Sequence, residues 1–182
     1  FIGIFILYMM QQLEKGNNKV MNAWAFYDWA NSVYSLVISS SIFPLYFGLL
    51  FTKENPNIDI FGTSIKATSL IFFITAFAFL TVAIISPILS GIADYLGNKK
   101  RFMQFFCYLG AFSCIGLYWF TKENVLLGIS CFYFGLLGFW GSLVYYNSYL
   151  SDIAFTEQHD GLSAKGFSLG YVGSVILLVI CL

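Results

Sequence analysis

The chain has 182 residues, of which 59% are hydrophobic and only 10% charged, with nine basic and nine acidic side chains and a formal net charge of zero. A soluble domain carries about a quarter charged residues, so 21 phenylalanines and a mean hydropathy of +0.78 exclude a water-facing surface and place the chain in lipid. The neutral balance argues against a nucleic-acid partner, which needs a basic face.

The first ten residues are apolar but too few to span a bilayer, which takes roughly 20. They lack the basic start and small-residue cleavage site of a signal peptide. Two readings of this start stand: translation from Met9 or Met10 with foreign residues ahead, or the tail of a further upstream helix. Either way, residues 1–22 form an N-terminal segment and residues 23–182 one transmembrane bundle, cut within its fifth helix.

The first span is expected over 23–51. Asp28 and Asn31 lie three apart and share a helix face, and Ser32, Ser35 and Ser39 continue a polar stripe. An ionisable group at membrane depth is costly and by default functional, so Asp28 can take a coupling proton or cation or a charge from another helix. The rival reading puts Asp28 near the membrane surface, with Trp24, Tyr27 and Trp29 as an interfacial aromatic belt. Pro44 removes a backbone hydrogen bond and is expected to kink the helix.

The second span is expected over 67–91. It leads into Ser90-Gly91-Ile92-Ala93-Asp94-Tyr95-Leu96-Gly97-Asn98-Lys99-Lys100-Arg101, a tight turn. Gly97 permits backbone conformations that other residues resist, Asp94 can accept bonds from helix N-terminal amides, and the basic triplet holds the turn in the cytoplasm. The stretch resembles the loop signature of the major facilitator superfamily between its second and third helices. Ala93, Asp94 and Gly97 match, and Lys99 fills a basic position. Ser90, Tyr95 and Asn98 depart from it, replacing a glycine and two arginines. The resemblance implies a conformational latch formed by Asp94, Gly97, Lys99, Lys100 and Arg101.

Further spans are expected over 102–120 and 125–146, with a fifth from about Gly166. Along the fourth, Gly128, Cys131, Gly135, Gly138 and Ser142 recur every three or four residues, and Gly166 and Gly170 do so in the fifth. Small faces let membrane helices approach closely. Tyr145, Tyr146 and Asn147 close the fourth span as interfacial residues or as a gate lining a solute pathway. The lone His159 reads as a solvated loop residue. Cys107, Cys114, Cys131 and Cys181 sit in apolar runs without metal or pairing spacing and read as small apolar side chains. No nucleophile elbow, phosphate loop, zinc spacing or dinucleotide pattern occurs, so no cofactor or metal is expected.

Loop charges set the orientation. Lys15, Lys19, Lys99, Lys100, Arg101 and Lys165 fall on one side and Lys53, Lys66 and Lys122 on the other, which places the N-terminus in the cytoplasm.

Four ordered blocks narrow the resemblance. Trp24-Ala25-Phe26-Tyr27-Asp28-Trp29-Ala30-Asn31-Ser32 and Ile42-Phe43-Pro44-Leu45-Tyr46-Phe47 resemble the opening of the subfamily that contains the yeast autophagy-related vacuolar effluxer. Asn147-Ser148-Tyr149-Leu150-Ser151-Asp152-Ile153 resembles its Asn-Ala-Tyr-Leu-Pro-Glu-Ile stretch, with Ser151 in place of Pro. Ser163-Ala164-Lys165-Gly166 through Gly170-Tyr171-Val172-Gly173 resembles the start of its fifth helix. The resemblance implies an all-α polytopic membrane protein, the N-terminal part of a twelve-helix transporter, in a bacterial cell membrane. It further implies a small solute as partner, points to amino-acid export, and implies alternating access as mechanism. Asp28, Asn31, Ser35 and Asn147 are the candidates for the solute or ion pathway. A membrane scaffold or assembly protein is the alternative. An intramembrane enzyme would need paired catalytic groups, and Asp28 is the only acidic residue inside the expected spans.

Overall fold

The computed structural model describes residues 15–52, 56–60, 62–96 and 98–181, with every side chain among them but those of Ile60, Asp94 and Leu96. Among the described residues, five helices are long and apolar enough to cross a membrane.

The first crosses as one continuous rod over Asn18–Leu50. It opens as α1 (Asn18–Val33), whose cap Asn17 accepts from the Lys19 amide at 2.9 Å. It continues as a π-helical segment (Tyr34–Ile42) and ends as α2 (Phe43–Leu50). Pro44 explains the change of pitch. It cannot donate a backbone bond, and its ring would collide with the carbonyl one turn back. The wider turn accommodates it, and Ser40 and Ser41 donate from Oγ to the carbonyls of Ser35 and Leu36, each five residues earlier, at 2.7 and 2.8 Å. A π segment thus stands just ahead of Pro44, a feature frequent at functional sites.

A hairpin that hydropathy does not reveal follows. Strands β1 (Asn57–Ile60) and β2 (Thr63–Lys66) pair antiparallel, with Gly62 at a φ of 81° in the turn and Ile58 buried against the bundle. Then come α3 (Ala67–Leu96), with Pro87 inside it, α4 (Lys99–Gly116) with a 3-10 turn over Leu117–Trp119, and α5 (Val125–Ile153). A 3-10 turn at Thr156–Gln158 joins α5 to α6 (His159–Cys181).

Two boundaries correct the sequence reading. The fourth helix runs on past Tyr146 to Ile153, and the fifth starts at His159, seven residues before Gly166. The intervening polar residues are helical because hydropathy reports where lipid ends, while backbone hydrogen bonding continues into the headgroups. His159 is therefore no loop residue. It opens α6, half-buried, with its Nε2 at 3.2 Å from the Ala154 carbonyl.

The helices pack as two extensive pairs, α1 with α6 and α4 with α5, while α3 lies along α5. Helix α5 is the most enclosed, and α3 the least, presenting Phe72, Phe73, Leu80, Ile84 and Ile88 outward. One apolar cluster gathers around Trp24, Tyr27, Met103, Phe106 and Tyr145. A second gathers around Tyr34, Phe43, Phe47, Phe120 and Phe132. The α4–α5 seam closes on glycine: a Cβ on Gly138 would stand 2.6 Å from Gly110 Cα and 2.8 Å from the Phe106 carbonyl. The four cysteines are free.

Candidate functional site

Asp28 stands ten residues into α1, about 15 Å along the helix axis from its start. It is 3% exposed. Ser32, one turn on, donates to Asp28 Oδ1 at 2.9 Å, and Asp28 Oδ2 has no hydrogen-bond partner among the described residues. The facing helix permits this arrangement at Gly170, where a Cβ would lie 2.8 Å from Asp28 Oδ2 and 2.7 Å from Ser32 Oγ.

This pair borders a cavity of about 440 Å³ between the first span, α5 and α6. Its polar wall is Asp28, Ser32, Ser35, Asn147 and Ser174. Its apolar wall is largely aromatic, with Phe139, Trp140 and Tyr146 from α5 and Phe167 and Tyr171 from α6. Of the sequence candidates, Asp28, Ser35 and Asn147 meet here. Asn31 does not line the cavity. It turns toward α5, where its Oδ1 lies 3.4 Å from Ser142 Oγ, and its Nδ2 is buried without a partner among the described residues. The widened turn also displaces the serine stripe. Ser40, rather than Ser39, lies over Ser35.

One turn toward the start of α1 and the end of α5, rings pack beside the cavity. Trp24 stacks on Tyr146 with centroids 4.2 Å apart and planes 7° from parallel, and its Nε1 donates to the Tyr146 carbonyl at 2.9 Å. Tyr27 also stacks on Tyr146, with centroids 5.3 Å apart. Trp24, Tyr27, Tyr145 and Tyr146 are buried in the bundle, whereas Trp29 is half-buried. Tyr146 Oη has no partner among the described residues. Sequence reasoning missed Ser174 and Trp140. The signal for Ser174 was its place four residues beyond Gly170 on the small face of α6.

Around the expected turn after the second span, α3 runs to Leu96 and α4 begins at Lys99. Gly97 and the Asp94 side chain lie outside the described residues. Lys99, Lys100 and Arg101 form the first turn of α4, an unfavourable end for cations, and Asp152 sits in the last turn of α5, an unfavourable end for an anion. A Lys99 Nζ–Asp152 Oδ2 ion pair at 2.9 Å offsets both. Lys165 of α6 similarly donates to Asn22 Oδ1 of α1 at 2.5 Å.

A family model described as vacuole effluxer Atg22 like matches residues 16–159, so the match contains Asp28, the turn and the ion pair. The chain belongs to the Atg22-like family. An uncharacterized MFS-type transporter of Bacillus subtilis (strain 168), YxiO, is 34% identical to this Atg22-like chain over 168 residues, covering 92% of the chain and 38% of the relative. An uncharacterized protein of Aquifex aeolicus (strain VF5) is 31% identical over 159 residues, covering 86% of the chain and 36% of the relative. The Atg22-like chain thus spans less than two fifths of the length of these relatives. No solved structure matches it. As an Atg22-like, MFS-type protein it is the all-α polytopic membrane protein expected from the sequence, with the β1–β2 hairpin added between its first two spans.

Proposed function

We propose that the complete protein is a secondary active transporter that moves a small solute by alternating access, with the cavity between the first span, α5 and α6 as this half's share of the solute path. The observation that carries this reading is Asp28, a buried carboxylate beside a cavity, with one oxygen unpartnered among the described residues. An ionised carboxylate out of water without a counter-charge is strongly disfavoured. A coupling proton or cation relieves that penalty, so Asp28 is where the driving ion engages. Ser35 and Asn147 line the path, and Asn31 serves the pathway from behind by bracing α1 on α5 through Ser142. The turn holding Asp94, Gly97, Lys99, Lys100 and Arg101 acts as the latch between conformations, with the Lys99–Asp152 pair as its anchor on this half. The family resemblance favours an amino acid as cargo and export as direction, across a bacterial cell membrane with the N-terminus inside.

The test uses full-length protein in liposomes under an imposed pH gradient, supplied with a mixture of amino acids. Wild type is expected to accumulate at least one of them only when the gradient is present. Asp28→Asn is expected to lower that accumulation by about tenfold or more, the scale of losing one ionic interaction of at least 1.4 kcal/mol. Undiminished gradient-driven accumulation by the variant sinks the coupling role. Asp94→Ala should slow transport. An unchanged rate removes the latch.

A further inference from the structure

The cavity carries information about its cargo as well as its coupling. Among the described residues, its wall holds one carboxylate and no Lys, Arg or His. The nearest basic residue of α6, Lys165, is engaged with Asn22 at the helix starts. An anionic cargo would therefore meet a like charge without compensation. Two buried oxygens on facing helices, Asp28 Oδ2 on α1 and Tyr146 Oη on α5, lack hydrogen-bond partners among the described residues. Both residues line the same cavity, whose remaining wall mixes serines and Asn147 with aromatic faces, while the two oxygens themselves are packed against α6, Asp28 Oδ2 beside Gly170 and Tyr146 Oη beside Gly166. Unsatisfied acceptors are costly where water is scarce. A group that supplies several N–H donors and one positive charge satisfies a carboxylate and a phenol oxygen together. Aromatic rings around that charge add cation–π attraction.

We propose that the cavity binds a cationic amine group of the transported solute, with the Asp28 carboxylate and the Tyr146 hydroxyl turning from α6 onto the ammonium nitrogen and the remainder of the solute lying among Trp140, Phe167 and Tyr171. The inference rests on the transport reading and deepens it by naming the end of the cargo that this half recognises. It also sets the form of coupling. A proton and an ammonium exclude one another at the same oxygen, so loading the cargo displaces a proton to water. Tyr146 from α5 and Tyr171 from α6 are the other titratable side chains in the wall.

The experiment measures binding to the full-length protein in detergent, by calorimetry, for three probes sharing one skeleton: phenethylamine, 2-phenylethanol and 3-phenylpropionate. The amine is expected to bind about tenfold or more tightly than either other probe, the factor that one charge-assisted contact supplies. Asp28→Asn should bring the amine to the level of the alcohol, and Asp28→Glu should retain the preference. Tyr146→Phe keeps the ring, guards against a misfolded Asp28 variant, and should weaken the amine about threefold to tenfold, the scale of one hydrogen bond. No amine binding, equal affinities for the three probes, or an undiminished preference in both Asp28→Asn and Tyr146→Phe overturns the proposal. Binding in detergent does not require alternating access. A protein that selects the amine yet moves nothing in liposomes fails the transport reading alone, and one that transports without regard to cargo charge fails this inference alone.

Discussion

Gly170 and Asp28 show how one residue position governs the site. The absent Cβ lets the Asp28 carboxylate and the Ser32 hydroxyl press against the backbone of α6. Gly170→Ala must push both side chains aside, since a Cβ would stand 2.8 and 2.7 Å from their oxygens. Overpacking of this kind costs about 1–3 kcal/mol. The variant is expected to stay folded with a lowered thermal midpoint and to lose gradient-driven transport disproportionately, because the displaced atoms are those of the coupling carboxylate. Transport that falls only in step with the folded fraction would show Gly170 to be a packing residue alone. The chemistry of this position was only half readable from the chain. A lone acid in an apolar helix marks Asp28 by its cost in lipid. Which neighbours join it depends on a finer angle. Residues three and four ahead both share its face in outline, yet Ser32 bonds to Asp28 while Asn31 swings to Ser142 of α5. Spacing alone cannot choose between those sides of a helix. The choice is made by where α5 and α6 lie.

Among the elements, the apolar spans announced themselves because a run of about twenty lipid-compatible residues suits a bilayer and little else. Their ends did not. Helix α5 carries Asn147, Ser148, Ser151 and Asp152 in regular helix, since polar side chains at the membrane surface impose no helix break. The β1–β2 hairpin escaped because a four-residue strand has no hydropathy signature in a membrane context, although Ile58 and Ile60 alternate with polar neighbours. The glycine seam was readable by its spacing, and the structure adds which glycine is critical. Gly138→Ala should destabilise the protein by about 1–3 kcal/mol, because its Cβ would meet the backbone of Gly110 and Phe106, which cannot rotate away. Gly91→Ala in α3 has nothing within 4 Å of the new Cβ. It should be neutral or stabilising by up to about 1 kcal/mol, since alanine is the better helix former. Thermal unfolding in one detergent decides between them. Equal shifts for the two variants would mean that the α4–α5 contact does not limit stability.

For the molecule as a whole, orientation follows from charge, and the helical extensions sharpen where that charge lies. Lys99, Lys100 and Arg101 begin α4, while Lys165 lies in α6, and the ion pair with Asp152 brings the turn after α3 to the same end of the bundle as the α5–α6 junction. Gly16 donates from its amide to the Ile153 carbonyl at 2.8 Å, which ties the chain ahead of α1 to that end too. The basic residues counted for the cytoplasm are therefore one surface in space, and six positive charges on one side against three on the other set the expected topology. Single cysteines test it in a full-length background whose native cysteines are replaced by serine. Glu157→Cys sits in the exposed turn between α5 and α6, and Lys122→Cys sits in the exposed turn between α4 and α5. Neither change removes a positive charge from the basic end of the bundle, so neither weakens the signal under test. In intact cells, a membrane-impermeant maleimide is expected to label Lys122→Cys and to label Glu157→Cys only after the cells are opened. The opposite pattern would turn the bundle over and put the Lys99–Asp152 pair outside. The Asp28 cavity would then need its driving ion delivered from the other side of the membrane.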